Sequence, residues 1–153
     1  MKIAVVGLGH IGLPLAVQYA SRGHDVVGVD VAPGIVEAIN RGESPHRDEQ
    51  ALVERVPELV AAGRLRATTW DDPSGVRDAE VIVVIVPVVV DAEREIDYRA
   101  IDAATRDIGA AVSPGALVIY ETTLPVGTTR DRFGPMLTAA SGRELDGDLF
   151  LDF

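Results

Sequence analysis

The sequence predicts an α/β fold: a doubly wound parallel sheet between two layers of helices, three layers in a single domain. Two observations carry this. Short aliphatic runs alternate along the whole chain with stretches whose apolar residues recur at helical spacing. Such alternation of strands and helices closes as a parallel sheet with right-handed crossovers. The runs are also continuous rather than alternating with polar residues, as strands buried on both faces require. At 153 residues the chain can bury a substantial core.

Residues 3–6 form the first strand. A helix over 11–21 follows and ends near Gly23; Pro14 falls in its first turn, where N–H groups have no intrahelical partner. Residues 25–30 are the second strand. Pro33 opens a helix over 35–40 that Gly42 closes. Ser44-Pro45-His46-Arg47 is a loop, and Asp48 starts a polar helix with Leu52, Val53, Val56, Leu59 and Val60 on one face. Past the turn at Ala62-Gly63, residues 65–70 are a short strand. Asp71-Asp72-Pro73-Ser74 breaks it, the carboxylates suiting a turn or helix cap, and begins a short helix. Residues 80–86 are a buried central strand stopped by Pro87. Residues 91–97 are charged and expected to be exposed and solvated. A helix over 98–112 buries Ile101, Ala104, Ile108 and Ala111 or Val112. After the turn Ser113-Pro114-Gly115 comes a buried strand, 116–120. A helix over 128–140 buries Phe133, Met136 and Leu137; a polar loop, 141–148, leads to a last strand, 149–153.

Composition limits function. The net charge of −10 argues against nucleic acid or an anionic membrane as partner. The chain has no cysteine, so disulfides, thiolate metal sites and a cysteine nucleophile are excluded from it. The opening Met-Lys runs directly into a strand, without a signal peptide, and no 18-residue apolar run could span a membrane; the cytoplasm is the expected location. His10, His24 and His46 are too scattered in sequence for a metal site. Trp70 is expected to pack rather than to stack on a ligand.

The most informative stretch is the first thirty residues. Gly7-Leu8-Gly9-His10-Ile11-Gly12 follows the first strand and opens the first helix, and the second strand stops at Asp30. This is the order that binds a dinucleotide in a Rossmann fold. Gly7 allows the tight turn, Gly9 lets a pyrophosphate approach the backbone, and Gly12 lets the helix sit close to the sheet. The helix start offers free N–H groups and partial positive charge to the phosphates, with His10 and Ile11 beside them. Asp30 suits the adenosine ribose. Its charge repels a 2′-phosphate and Val31-Ala32-Pro33-Gly34 supplies no arginine, so NAD is expected over NADP.

Ligands of such a sheet bind at the carboxyl ends of its strands, which adds the segments after Val86 and after Tyr120. Glu121, Thr122 and Thr123 bring a carboxylate and two hydroxyls to a strand end, Pro125 stiffens the loop, and Gly127-Thr128-Thr129 starts a helix. The plainer alternative is a loop with a capping threonine.

The stretch Tyr120-Glu-Thr-Thr-Leu-Pro-Val-Gly-Thr-Thr-Arg130 resembles the E-S-T-x-P-x-G-T-T segment of the UDP-glucose/GDP-mannose dehydrogenase family. The opening sixteen residues, Asn40-Arg41-Gly42-Glu43-Ser44-Pro45 with residues 65–69, and Val86-Pro87 of a V-P-T-P loop are similar to that family too, in order along essentially the whole chain. Val88 and Val89 stand where the family has threonine and proline, which removes a hydroxyl near the cofactor; Thr122 keeps the hydroxyl of the family serine. The resemblance implies an NAD-dependent nucleotide-sugar 6-dehydrogenase, which oxidises the C6 alcohol of a UDP-sugar to a carboxylate with two NAD for polysaccharide precursors. Val86, Pro87, Glu121, Thr122 and Thr123 would border the cofactor, with Thr123 and Glu121 nearest the reacting centre. The Glu121-Thr122-Thr123 wording and residues 97–104 look closer to the UDP-N-acetylmannosamine and UDP-N-acetylglucosamine branch. In the family a cysteine, a glutamate and a lysine of later segments complete the chemistry, and Leu149-Phe150-Leu151-Asp152-Phe153 looks like the strand before its S-P-E-R segment. Residues 1–153 are therefore expected to be an isolated NAD-binding domain, inactive alone, of a protein that is a homodimer or larger. The alternatives are a stand-alone NAD-binding or regulatory module and a 3-hydroxyacid-type dehydrogenase domain, which lacks the Glu121–Thr129 pattern.

Overall fold

The computed structural model describes residues 1–90, 92–93 and 95–153. In chain order its first half contains β1 (Lys2–Val6), α1 (Gly12–Ser21), β2 (Asp25–Val29), α2 (Pro33–Asn40), α3 (Gln50–Ala61), β3 (Leu65–Thr68) and α4 (Ser74–Arg77). The second half adds β4 (Val81–Val84), β5 (Val89–Val90), β6 (Ile96–Asp97), α5 (Arg99–Ala111), β7 (Ala116–Tyr120), a π-helical turn (Thr129–Phe133), α6 (Gly134–Ser141) and β8 (Leu149–Asp152). Six strands form one sheet in the order β3-β2-β1-β4-β7-β8, every pair parallel. The order reverses between β1 and β4, which opens a crevice at their carboxyl ends.

β1 shows how the sequence makes three layers. Successive side chains point to opposite faces. Ile3 and Val5 enter one core with Leu13, Val17, Ile39, Leu52 and Val56 of α1, α2 and α3. Ala4 and Val6 enter the other with Ile101, Ile108 and Leu137 of α5 and α6. None of the four is more than 3% exposed, so the strand needs no polar alternation. Each large aliphatic side chain so buried contributes roughly 1.5–3 kcal/mol.

The elements match the sequence expectation in kind and order, with local differences: the strand expected over 65–70 ends at Thr68, and Met136, expected buried, is half-buried. The central strand, expected over 80–86, ends at Val84, level with the ends of its neighbours at Val6 and Tyr120, and Ile85 and Val86 border the crevice instead. The last helix begins as a π-helical turn, a widening that places the buried Phe133 ring against Tyr120 with centroids 4.5 Å apart. Within the segment expected to be simply exposed, Ile96 and Asp97 pair antiparallel with Val90 and Val89 as a two-rung ribbon. Ala92, Glu93 and Glu95 are exposed as expected; Asp91 and Arg94 lie outside the described residues. The polar helix starts at Gln50 rather than Asp48. Asp72 does cap a turn, accepting the Ser74 N–H at 3.0 Å. Among the described residues, no helix is long and apolar enough to cross a membrane.

Candidate functional site

The last rungs of the sheet gather three loops at one edge. The Gly7 N–H donates to the Val29 carbonyl at 2.8 Å, Ile85 N–H to the Val6 carbonyl at 2.8 Å, and Glu121 N–H to the Val84 carbonyl at 3.0 Å. Between them opens a cavity of about 760 Å³, within the usual range for small-molecule sites. Gly7, Gly9, His10, Ile11, Gly12, Asp30, Val86, Pro87, Glu121, Thr122 and Thr123, all the residues the sequence singles out, border it.

The three glycines of the turn have three different reasons. Gly7 adopts φ +94°, and a Cβ there would lie 2.5 Å from the Ile85 carbonyl oxygen. A Cβ on Gly12 would lie 1.7 Å from the Gly7 carbonyl oxygen, so α1 can start against the turn only with glycine there. Gly9 is different. Nothing lies within 4 Å of the position a Cβ would take, and the residue borders the cavity. No contact within the chain demands glycine at this point; open space that a ligand backbone approach would use does. No side chain caps α1; the Leu13 N–H donates to the Gly9 carbonyl at 3.1 Å and Pro14 has no N–H, so the Gly12 N–H is the donor of the first turn left for solvent or a ligand. This donor set and cradle fit the pyrophosphate of a dinucleotide.

Asp30 does more than its sequence position suggests. One carboxylate oxygen accepts the Leu8 N–H at 2.7 Å and the other the Ala32 N–H at 2.9 Å. Each oxygen keeps a further lone pair, so the carboxylate braces the turn and can still receive ribose hydroxyls.

At the far side, the Thr122 hydroxyl donates to the Val86 carbonyl at 2.8 Å and ties the loop after β7 to the loop after β4. Among the described residues, no hydrogen bond engages the Glu121 carboxylate or the Thr123 hydroxyl; both residues are exposed at the cavity. Val88 is half-buried against the α5-side core, so the replacement of a hydroxyl by an aliphatic group is absorbed by packing.

Several lining residues escape sequence reasoning. Ala100, Ala103, Ala104 and Asp107 of α5 form one wall. Their spacing is one helical stripe, and three of the four are small, which was the available signal. Trp70 packs against the α5-side core as expected, yet also lines the cavity. The histidines are less scattered in space than in sequence: the His10 and His46 ring centroids are 4.2 Å apart. Among the described residues, no group of histidine and acidic side chains could hold a metal ion.

The model of the UDP-glucose/GDP-mannose dehydrogenase family, NAD binding domain, matches residues 1–151. The chain is 41% identical over 132 residues to a UDP-N-acetyl-D-mannosamine dehydrogenase of Salmonella typhi, covering 86% of this chain and 30% of that protein. Among solved structures it superposes on a ternary complex of GDP-mannose dehydrogenase from Pseudomonas aeruginosa with TM-score 0.92 and 30% identity, over 99% of this chain and 35% of that one. It superposes on UDP-D-ManNAc dehydrogenase from Pyrococcus horikoshii with TM-score 0.90 and 32% identity, covering 99% and 35%. The chain thus spans about a third of the length of these relatives.

Proposed function

Because the chain belongs to the UDP-glucose/GDP-mannose dehydrogenase family as an NAD-binding domain, we propose that it serves an enzyme oxidising the C6 alcohol of a UDP-N-acetylhexosamine to a carboxylate. The observation that carries this is one cavity bordered both by the glycine turn with Asp30 and by Glu121, Thr122 and Thr123. The substrate class is supported by the relative at 41% identity being a UDP-N-acetyl-D-mannosamine dehydrogenase.

Bound NAD supplies the hydride acceptor. This chain's residues bind and orient it. The turn at Gly7, Gly9 and Gly12, with Ile11 and the α1 start, receives the pyrophosphate, and His10 flanks it. Asp30 takes the adenosine ribose and disfavours a 2′-phosphate, while Val86 and Pro87 form an apolar wall. Thr122 holds the two loops in register, leaving Thr123 and Glu121 directed to the reacting end. The chain contains no cysteine, so covalent capture of an aldehyde requires residues outside it, and the chain alone binds NAD without turning over a sugar. The complete protein acts as a homodimer or larger assembly.

The test mixes the 153-residue chain with NAD and, in turn, each UDP- and GDP-sugar. Calorimetry should register NAD, with weaker or absent NADP binding, and NADH absorbance should stay flat. Sustained turnover would refute the division of labour, and tighter binding of NADP would refute the role of Asp30.

A further inference from the structure

The loop between α2 and α3 contains no residue that the dinucleotide pattern requires, yet its His46 is only 8% exposed and reaches the glycine turn. His46 Nε2 lies 3.0 Å from the Leu8 carbonyl oxygen. A carbonyl only accepts, so the ring N–H donates. The same ring lies against His10, centroids 4.2 Å apart and planes tilted by 36°. The loop is braced locally. The Ser44 hydroxyl accepts the His46 N–H at 3.2 Å and donates to the His46 carbonyl at 3.1 Å, and Ser44 is buried.

Leu8 is therefore held at three points. Asp30 takes its N–H at 2.7 Å, His46 takes its carbonyl, and its side chain fills the notch over Gly28, where a Cβ would come within 2.6 Å of it. Leu8 sits between Gly7 and Gly9, so fixing both of its peptide planes fixes the backbone that faces the cavity.

We propose that His46 is a positioning residue for the cofactor: through the Leu8 carbonyl and the His10 ring it holds the glycine turn in the shape that receives a dinucleotide pyrophosphate. This deepens the NAD-site reading above and rests on it. A turn already held in its binding shape loses less freedom when the ligand arrives. The role needs a hydrogen-bond donor at this place, whereas simple space-filling needs only a ring of similar size.

The experiment titrates the 153-residue chain with NADH and, separately, with adenosine, which has no pyrophosphate. H46F keeps a ring beside His10 and loses the donor; H46A loses both; H46Q keeps a donor. Circular dichroism identifies the variants that fold, and either donor-less variant suffices. The Kd for NADH should rise about tenfold without the donor and less than about threefold in H46Q. Adenosine should bind all folded variants alike. Wild-type NADH affinity in H46F or H46A overturns the proposal, as does a loss that H46Q fails to rescue or one shared equally by adenosine. A wild-type chain that does not bind NADH would instead sink the NAD-site reading.

Discussion

The Asp30 carboxylate accepts the backbone N–H of Leu8 at 2.7 Å, so the acid that follows β2 also closes the turn that leaves β1. D30A strands that donor in a fully buried residue. Stability without ligand should fall by about 1–3 kcal/mol, measured by denaturant unfolding, and NAD affinity should fall with it. An unchanged ligand-free stability would mean the carboxylate serves only the ligand.

Gly9 and Gly12, three positions apart, should separate cleanly on substitution. G12A forces a Cβ to 1.7 Å from the Gly7 carbonyl oxygen, and backbone cannot yield as a flexible side chain does. We expect it to lose more than about 3 kcal/mol or not to fold. G9A meets nothing within 4 Å, so its stability should stay within about 0.5 kcal/mol of wild type while NAD affinity drops at least about tenfold. A G9A chain that binds NAD normally would remove Gly9 from the site.

Tyr120 donates to the Thr105 hydroxyl at 2.7 Å, since that hydroxyl spends its own proton on the Ile101 carbonyl at 2.7 Å. Burial pushes the phenol pKa well above its ordinary value. The unfolded phenol loses its proton near pH 10 while the folded one keeps it. The native state then binds more protons, and stability falls as pH rises past about 10. Y120F should cost about 1 kcal/mol at neutral pH and reduce the alkaline loss. Urea unfolding at both pH values reads the two effects, and an undiminished alkaline loss in Y120F would contradict the assignment.

Asp97 is held by the Arg99 guanidinium, with Nε 2.9 and 3.0 Å from its two oxygens, and by the Arg99 N–H at 3.0 Å. These bonds lower its carboxyl pKa to about 2. The folded value lies below the unfolded one, so whatever this pair contributes is present above about pH 4 and is lost as pH falls toward 2. Carbon-13 NMR titration of Asp97 should show the low midpoint, returning toward about 3.9 in R99A. Because the pair is exposed, about 0.5 M salt should shrink the shift; a midpoint indifferent to both changes would rule the pairing out.

The regular elements were legible because their signals are local. The aliphatic run at 81–84 and the helical spacing of Ile101, Ala104 and Ile108 lie within a few residues of one another. The ends of elements were less so. Ile85 and Val86 continue an apolar run and read as strand, but both neighbouring strands end level with Val84, at Val6 and Tyr120, so the ladder stops there whatever the propensity of the next residues. The π-helical turn at Thr129–Phe133 left no mark in a 3.6-residue pattern, since the stacking of Phe133 on Tyr120 is a contact between distant segments.

By itself the sequence determined the fold class, the glycine turn, the acid after β2 and the threonine loop after β7, because each is a short pattern whose chemistry is carried by neighbouring residues. Only the tertiary structure decided that all of these border one cavity, that the small residues of α5 form its wall, and that His46 reaches Leu8 across 38 positions. Those relations depend on which strands lie side by side and which loops they carry to the same edge. Packing sets that, over distances along the chain at which periodicity and propensity say nothing.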